Sequence, residues 1–225
     1  MGADYRRRPL RALMRAITIG VAFGAMPLCL AAQGKIEFTP LVGLYLPTAD
    51  LFEIRDFLVA GDKLTGKQKT TVVFGGRLGV WATNRIAFEG SFGYAPSKGE
   101  ATYTDPSNVA SSSDSSGHII LASGRILVGF GATGGNTLWH LIIGAGIDAH
   151  GGPAYDGASG TTDFGGIAGV GATFKVGGST AIRLDVEDNL FSARFRDNAS
   201  GVESESRFQN DLVMLVGLAV PLGGK

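Results

Sequence analysis

Cysteine is nearly absent from this chain, and the one present, Cys29, falls in a segment that reads as an export signal. A mature chain without cysteine forms no disulfide in an oxidising compartment, so its folding must rest on the sheet itself. Histidine is almost as scarce. The three, His118, His140 and His150, stand in the contexts HII, HLI and HGG, with no recognisable nucleophile motif beside them. Net charge is missing too: 20 basic residues offset 20 acidic ones, which sets aside nucleic acid and acidic polymers as partners. No cofactor and no metal is implied.

The first residues read as an address. Arg6, Arg7, Arg8, Arg11 and Arg15 form a basic region, and the run from Ala16 to Ala32 is apolar, interrupted by glycine and proline, and ends in small residues. An anchoring helix is the alternative, but a spanning helix needs about 20 apolar residues, and Pro27 breaks a run already too short. Residues 1–33 are therefore expected to be a cleaved signal peptide, and 34–225 the mature domain.

What the chain has in excess is glycine, 35 residues of 225. That is about twice the usual share of ~7%, without a collagen period. The glycines lie within eight stretches that alternate apolar with small or polar residues, separated by connections that are short, then long, then short. The stretches run from about Ile36 to Leu46, Thr71 to Trp81, Arg85 to Ala95, Ile119 to Phe130, Leu138 to Ala149, Phe164 to Phe174, Ala181 to Phe191 and Asp211 to Leu222. In the seventh, Ile182, Leu184 and Val186 point one way and Arg183, Asp185 and Glu187 the other. The eighth presents Leu212, Met214, Val216, Leu218 and Val220 on one face.

Alternation of this kind, with tight turns at one end and long loops at the other, predicts an all-β, eight-stranded antiparallel up-and-down transmembrane barrel. Each stretch matches the ~9–11 residues that a tilted strand needs to cross hydrocarbon. Aromatic residues near strand ends, Phe38, Tyr45, Phe74, Trp81, Phe92, Tyr94, Phe130, Trp139, Phe164, Phe174 and Phe208, suit a girdle at the headgroup layer. The connection from Ser97 to Gly117 is Ser-rich and nearly free of apolar residues, so the expectation there is a solvated, mobile loop.

The phrases TPLVGLYLPTADLFE, RIAFEGSFGYAP and GLAVPL resemble the small eight-stranded outer-membrane barrels of the OmpA, OmpX and OmpW type, over nearly all of the mature chain. In GLAVPL, Gly217, Val220 and Leu222 resemble the assembly signal of such barrels. The resemblance implies a Gram-negative outer-membrane location, the bilayer and its lipopolysaccharide as surroundings, the barrel-assembly machinery as a folding partner, and a monomer. It implies no enzyme. Barrel deacylases are among the look-alikes, yet none of the three histidines has their His-x-Ser spacing.

Strand parity places charge inside the barrel. A three-residue turn of Ala82, Thr83 and Asn84 would set Arg77 opposite Glu89, with Arg125 on the next strand close to the same carboxylate. Arg77, Glu89 and Arg125 are the expected lumen ion-pair network, and in so narrow a barrel they would close the lumen. Parity also sets Gly171 opposite Asp185 and Gly169 opposite Glu187. With Asp148 and Asp211, these carboxylates are expected to form an acidic mouth toward the loop end, either a cation or basic-peptide site or a solvated rim balanced by Arg194 and Arg196.

The function expected is that of a non-enzymatic barrel contributing to envelope integrity or surface interaction through its loops. Two alternatives stay open. One is a narrow pore or OmpW-like conduit for a small hydrophobic ligand, since Leu121, Leu127, Ile142 and Ile167 also face inward. The other is a soluble lipocalin-like ligand-binding barrel, whose outer face should carry many more Lys and Glu than the polar face here does.

Overall fold

The computed structural model of the protein describes residues 35–131, 135–198, 201, 203–204 and 206–223. The expected signal peptide, 1–33, lies outside the described residues. Twelve strands follow one another: β1 (Lys35–Pro47), β2 (Phe52–Arg55), β3 (Lys63–Gln68), β4 (Thr71–Trp81), β5 (Ile86–Thr104), β6 (Ala110–Phe130), β7 (Thr137–Gly151), β8 (Ala158–Ser159), β9 (Thr162–Gly177), β10 (Thr180–Ala193), β11 (Arg196–Asp197) and β12 (Arg207–Pro221). Eight of them, β1, β4, β5, β6, β7, β9, β10 and β12, close into a ring. Each pairs antiparallel with the next, and β12 returns to β1 with Phe38 opposite Val220, Val42 opposite Val216 and Leu46 opposite Leu212.

The two faces of this ring are chemically opposite. Val42, Leu44, Phe74, Phe92, Ile126, Leu141, Leu184 and Val216 all stand exposed on the outside, while Arg77, Glu89, His140, Arg183, Asp185 and Glu187 are buried within. A soluble calyx would show the reverse. The exposed aromatic residues Phe38, Phe74, Phe92, Phe130, Trp139, Phe164 and Phe208 mark the rims of the apolar belt. Two expected girdle members turn inward instead. Tyr45 has no exposure and donates its hydroxyl to Asp211 inside the barrel, and Trp81 packs on Ala87, Leu127 and Ile142. Both have odd numbers on strands whose even positions face out, so parity overrides the aromatic preference for a rim.

The Ser97–Gly117 connection is a correction to the sequence reading. It is a continuation of the β5–β6 hairpin, paired without interruption from Ser97 opposite Gly117 to Thr104 opposite Ala110. Pairing needs backbone rather than an apolar face. β3 adds a third strand, alongside Gly99 to Thr104. Lys69 ties the three together through Glu100 at 3.0 Å and Asp114 at 2.7 Å. The tip turns at Asp105, whose carboxylate accepts the N–H groups of Ser107 and Val109, both at 2.8 Å.

Between β2 and β3 a second tip forms around Asp62. Its buried carboxylate accepts the N–H groups of Phe57 at 2.5 Å, Leu58 at 2.9 Å and Val59 at 3.0 Å, and the hydroxyl of Tyr103 at 3.0 Å. Burial alone pushes the Asp62 carboxyl up, but these four donors outweigh it and hold the group below the usual carboxylate range. The knuckle therefore presents Phe57, Leu58 and Val59 to solvent on a fixed backbone.

Two predictions follow from these faces. Val216→Arg, in the middle of the outward belt, should cost about 2–4 kcal/mol of folding free energy in lipid vesicles, and Ser192→Arg at the loop-end rim about 0–1 kcal/mol. Equal costs would mean that the belt is misplaced. At the Asp62 knuckle, Asp62→Ala should abolish the hydrogen-exchange protection of the amides of Phe57, Leu58 and Val59. In the wild type, a lowered carboxyl pKa keeps these bonds at neutral pH and loses them only as pH falls beneath the free-aspartate range of about 4.

Candidate functional site

The lumen is filled in layers. On β4, β5 and β6 the order from the short-turn end is the same: an apolar residue (Trp81, Ala87, Leu127), a charged one (Arg77, Glu89, Arg125), then an apolar one (Val73, Ala95, Ile119). Beyond this second apolar layer a cluster of Leu51, Tyr155, Phe191, Ala193 and Phe195 closes the loop end.

The charged layer is one continuous network of three arginines, three carboxylates and a histidine. Arg77 reaches Asp185 through one terminal nitrogen and Glu187 through the other, the second at 2.5 Å, and its Nε lies 3.6 Å from Glu89. Arg125 holds Glu187 at 2.5 Å and stands 4.0 Å from Glu89. Arg183 binds Glu89 with both terminal nitrogens, the second at 3.4 Å, and its Nε lies 2.8 Å from Asp185. His140 Nε2 shares a hydrogen bond of 2.7 Å with Asp185. Every member is buried. Charges this far from water are tolerated because each has at least one partner of opposite sign at hydrogen-bond range.

Local sequence sets the geometry. Arg183, Asp185 and Glu187 alternate on β10, so all three point inward together. Gly171 lies across from Asp185 and Gly169 across from Glu187. A Cβ on Gly171 would collide with the Asp185 carboxylate and the His140 ring, so the glycine makes the space that the ion pairs occupy. Glu89 lies directly across from Arg125. Arg77, however, is opposite Ser91, and Glu89 is opposite Gly79, two residues away from the expected register. The turn has three residues but has slid by one. Ala82 N–H bonds to the carbonyl of Ile86, and the Thr83 hydroxyl accepts the N–H groups of Arg85 and Ile86, so Thr83 to Arg85 make the turn. Parity survives, and Arg77 reaches Glu89 diagonally.

The expected acidic mouth divides. Asp185 and Glu187 belong to the arginine network, because Arg77, Arg125 and Arg183 lie at their level. Asp148 and Asp211 lie higher, and neither is a solvated rim group. Asp211 is buried against Tyr45 and across from Asn189, and Asp148 is across from Asp163. Arg194 and Arg196, the expected counter-charges, point outward and approach Glu203, each at 3.7 Å.

The aromatic closure at the loop end was not foreseen. It takes one apolar anchor from each of several polar loops: Leu51 after β1, Tyr155 after β7 and Phe195 after β10. The Tyr155 hydroxyl bonds to Gln68 of β3, Phe195 faces Phe52 at 5.8 Å, and the ring of His150 packs on Tyr155 and Phe195. A lone aromatic inside a Gly- and Asp-rich loop is the signal that could have located it.

No protein-family model and no curated protein matches the sequence. Solved structures match in fold. The outer membrane protein OprG from Pseudomonas aeruginosa aligns with a TM-score of 0.54 at 12% identity, over 85% of this chain and 97% of that one. The outer membrane protein AlkL, solved in DMPC bilayers, aligns with a TM-score of 0.61 at 13% identity, over 86% of this chain and 93% of that one. The chain has the fold of the small eight-stranded outer-membrane barrels. In such a barrel the outward belt described above is the lipid-facing surface, and the charged layer lies at the level of the membrane interior.

Removing one carboxylate should leave the buried layer with an excess of positive charge. Glu89→Ala leaves Arg183 with Asp185 as its one carboxylate and weakens the hold on Arg77 and Arg125, and is expected to cost about 3–5 kcal/mol of unfolding free energy in vesicles. Gly171→Val, which changes no charge, should destabilise the barrel by the same route, because it pushes Asp185 from its partners.

Proposed function

We propose that this chain is a non-enzymatic outer-membrane barrel, closed along its lumen, that contributes to envelope integrity or surface contact through its loop end. The observation that carries the proposal is double closure: the ion-pair layer of Arg77, Glu89, Arg125, Arg183, Asp185 and Glu187, and the aromatic layer of Tyr155, Phe191 and Phe195 above it. Two obstructions in series argue against a continuous aqueous path and so disfavour a porin role. An enzymatic role is disfavoured because His140 is enclosed and held by Asp185 within the arginine network, away from any substrate. What remains available outside is the paired hairpin of β5 and β6, the Asp62 knuckle and the strand edge at β2. The working surroundings are then the bilayer, lipopolysaccharide and the barrel-assembly machinery, with a monomer exported by a cleaved leader of residues 1–33.

The reading as a conduit for a small apolar ligand has one observation in its favour. A gap between the charged layer and the loop-end layer is walled on one side by Leu41, Val73, Leu121, Ile167, Val213 and Leu215, and on the other by Arg125, Asp148, Glu187 and Asn189. Planar-bilayer recording separates the two readings. A closed barrel should show no resolved channel steps in the wild type or in Glu89→Ala alone, and should gain them only when the aromatic layer is opened as well, as in Glu89→Ala with Phe195→Ala. Steady conductance in the wild type, or saturable uptake of an apolar fluorophore by wild-type vesicles, would favour the conduit.

A further inference from the structure

The outward face of the three-stranded sheet formed by β3, β5 and β6 has a chemistry that closure of the lumen does not use. Across that face Lys69 lies beside Lys98, and Lys98 is paired with Ser116; one row further out, Lys67 is paired with Glu100, which is paired with Asp114. Both carboxylates are taken by Lys69. Lys67 and Lys98 are exposed, and among the described residues neither forms an ion pair. Three ammonium groups thus face two carboxylates.

The height of this cluster is what gives it meaning. Just below it, Phe74 packs on Tyr94 at the upper edge of the apolar belt, with ring centroids 5.5 Å apart. Tyr94 stacks in turn on His118 at the same separation, with the planes inclined by 28°. Lys98 lies four residues beyond Tyr94, about 13 Å along a strand. An aromatic rim marks the depth at which hydrocarbon gives way to headgroups. A four-carbon lysine stem reaching back along the wall sets its charge in that headgroup layer. At the loop ends of β10 and β12 Ser192 and Ser206 bond to each other, and the nearby Arg207 is held by Glu53.

We propose that Lys67 and Lys98, with the Ser116 hydroxyl beside them and the Tyr94–His118 stack beneath, form a docking site for the phosphate of an anionic outer-leaflet lipid. The shape fits this ligand class: cations and a hydroxyl for the headgroup lie directly above a stripe of Phe74, Phe92, Tyr94 and Ile120 for its acyl chains. The site rests on the reading of the chain as an outer-membrane barrel with its long loops outward.

Native mass spectrometry of the full folded barrel in detergent, titrated with diphosphorylated lipid A, tests it. The wild type should retain the lipid, and Lys67→Gln with Lys98→Gln should weaken retention on the order of ten-fold or more. Lys35→Gln with Lys175→Gln, at the short-turn rim, should leave it unchanged. Inorganic phosphate should not compete, and the dephosphorylated lipid should bind no better than to the double variant. Equal retention by the Lys67/Lys98 variant and the wild type overturns the site, as does equal loss in the rim variant. Full competition by inorganic phosphate overturns the lipid as its ligand. Gel mobility before and after boiling keeps the two proposals apart: a heat-sensitive compact form with no lipid retention sinks the site alone, and the absence of that form in the wild type sinks the barrel reading itself.

Discussion

Neutralising charge buried inside a barrel filled by its own side chains is the constraint on which the rest of this structure depends. Three guanidinium groups stand in the centre of the wall's inner face, and transferring even one of them unpaired from water would cost several kcal/mol. Asp185, Glu187 and Glu89 offset that cost only at hydrogen-bond range, which ties β4, β5, β6, β7 and β10 to one another across the lumen. Replacing the whole layer with apolar side chains could be equally stable. What the ions add is uniqueness, because a slip of any strand by two residues keeps the faces correct yet leaves a charge without its partner.

The apolar and polar layers divide the work. Below the ions, Trp81, Leu127 and Ile142 fill the short-turn end; above them, Leu41, Val73 and Val213 fill the upper half. The aromatic cluster of the loops then seals that half from solvent. Polar groups flank its anchors: Tyr155 bonds to Gln68, and the carbonyl of Asp50 accepts from Gln209.

The barrel and its faces were legible in the sequence because period-two alternation is a local property, and each of the eight stretches carries it independently. The pairing of Gly171 with Asp185 and of Gly169 with Glu187 was legible for the same reason, since the short turn after β9 fixes both. What escaped was non-local or chemical in origin. The Arg77 register missed by two because the Thr83 hydroxyl, rather than turn length, decides where that turn begins. Arg183 and His140 joined the network across the lumen, and stagger between tilted strands brings residues of unlike position to one height. The serine-rich hairpin escaped because composition reports burial, and strand pairing in water needs none.

The seam between β1 and β12 sets an order on closure of the ring. β1 must wait for β12 to close the ring, and until Asp211 arrives, the hydroxyl of Tyr45 faces a lumen with no wall on that side. During that wait the growing sheet has two open edges, each a template for any stray strand. The polypeptide is therefore a ribbon whose ends are made to recognise each other, and the completed ring is the only state in which neither edge can recruit a stranger.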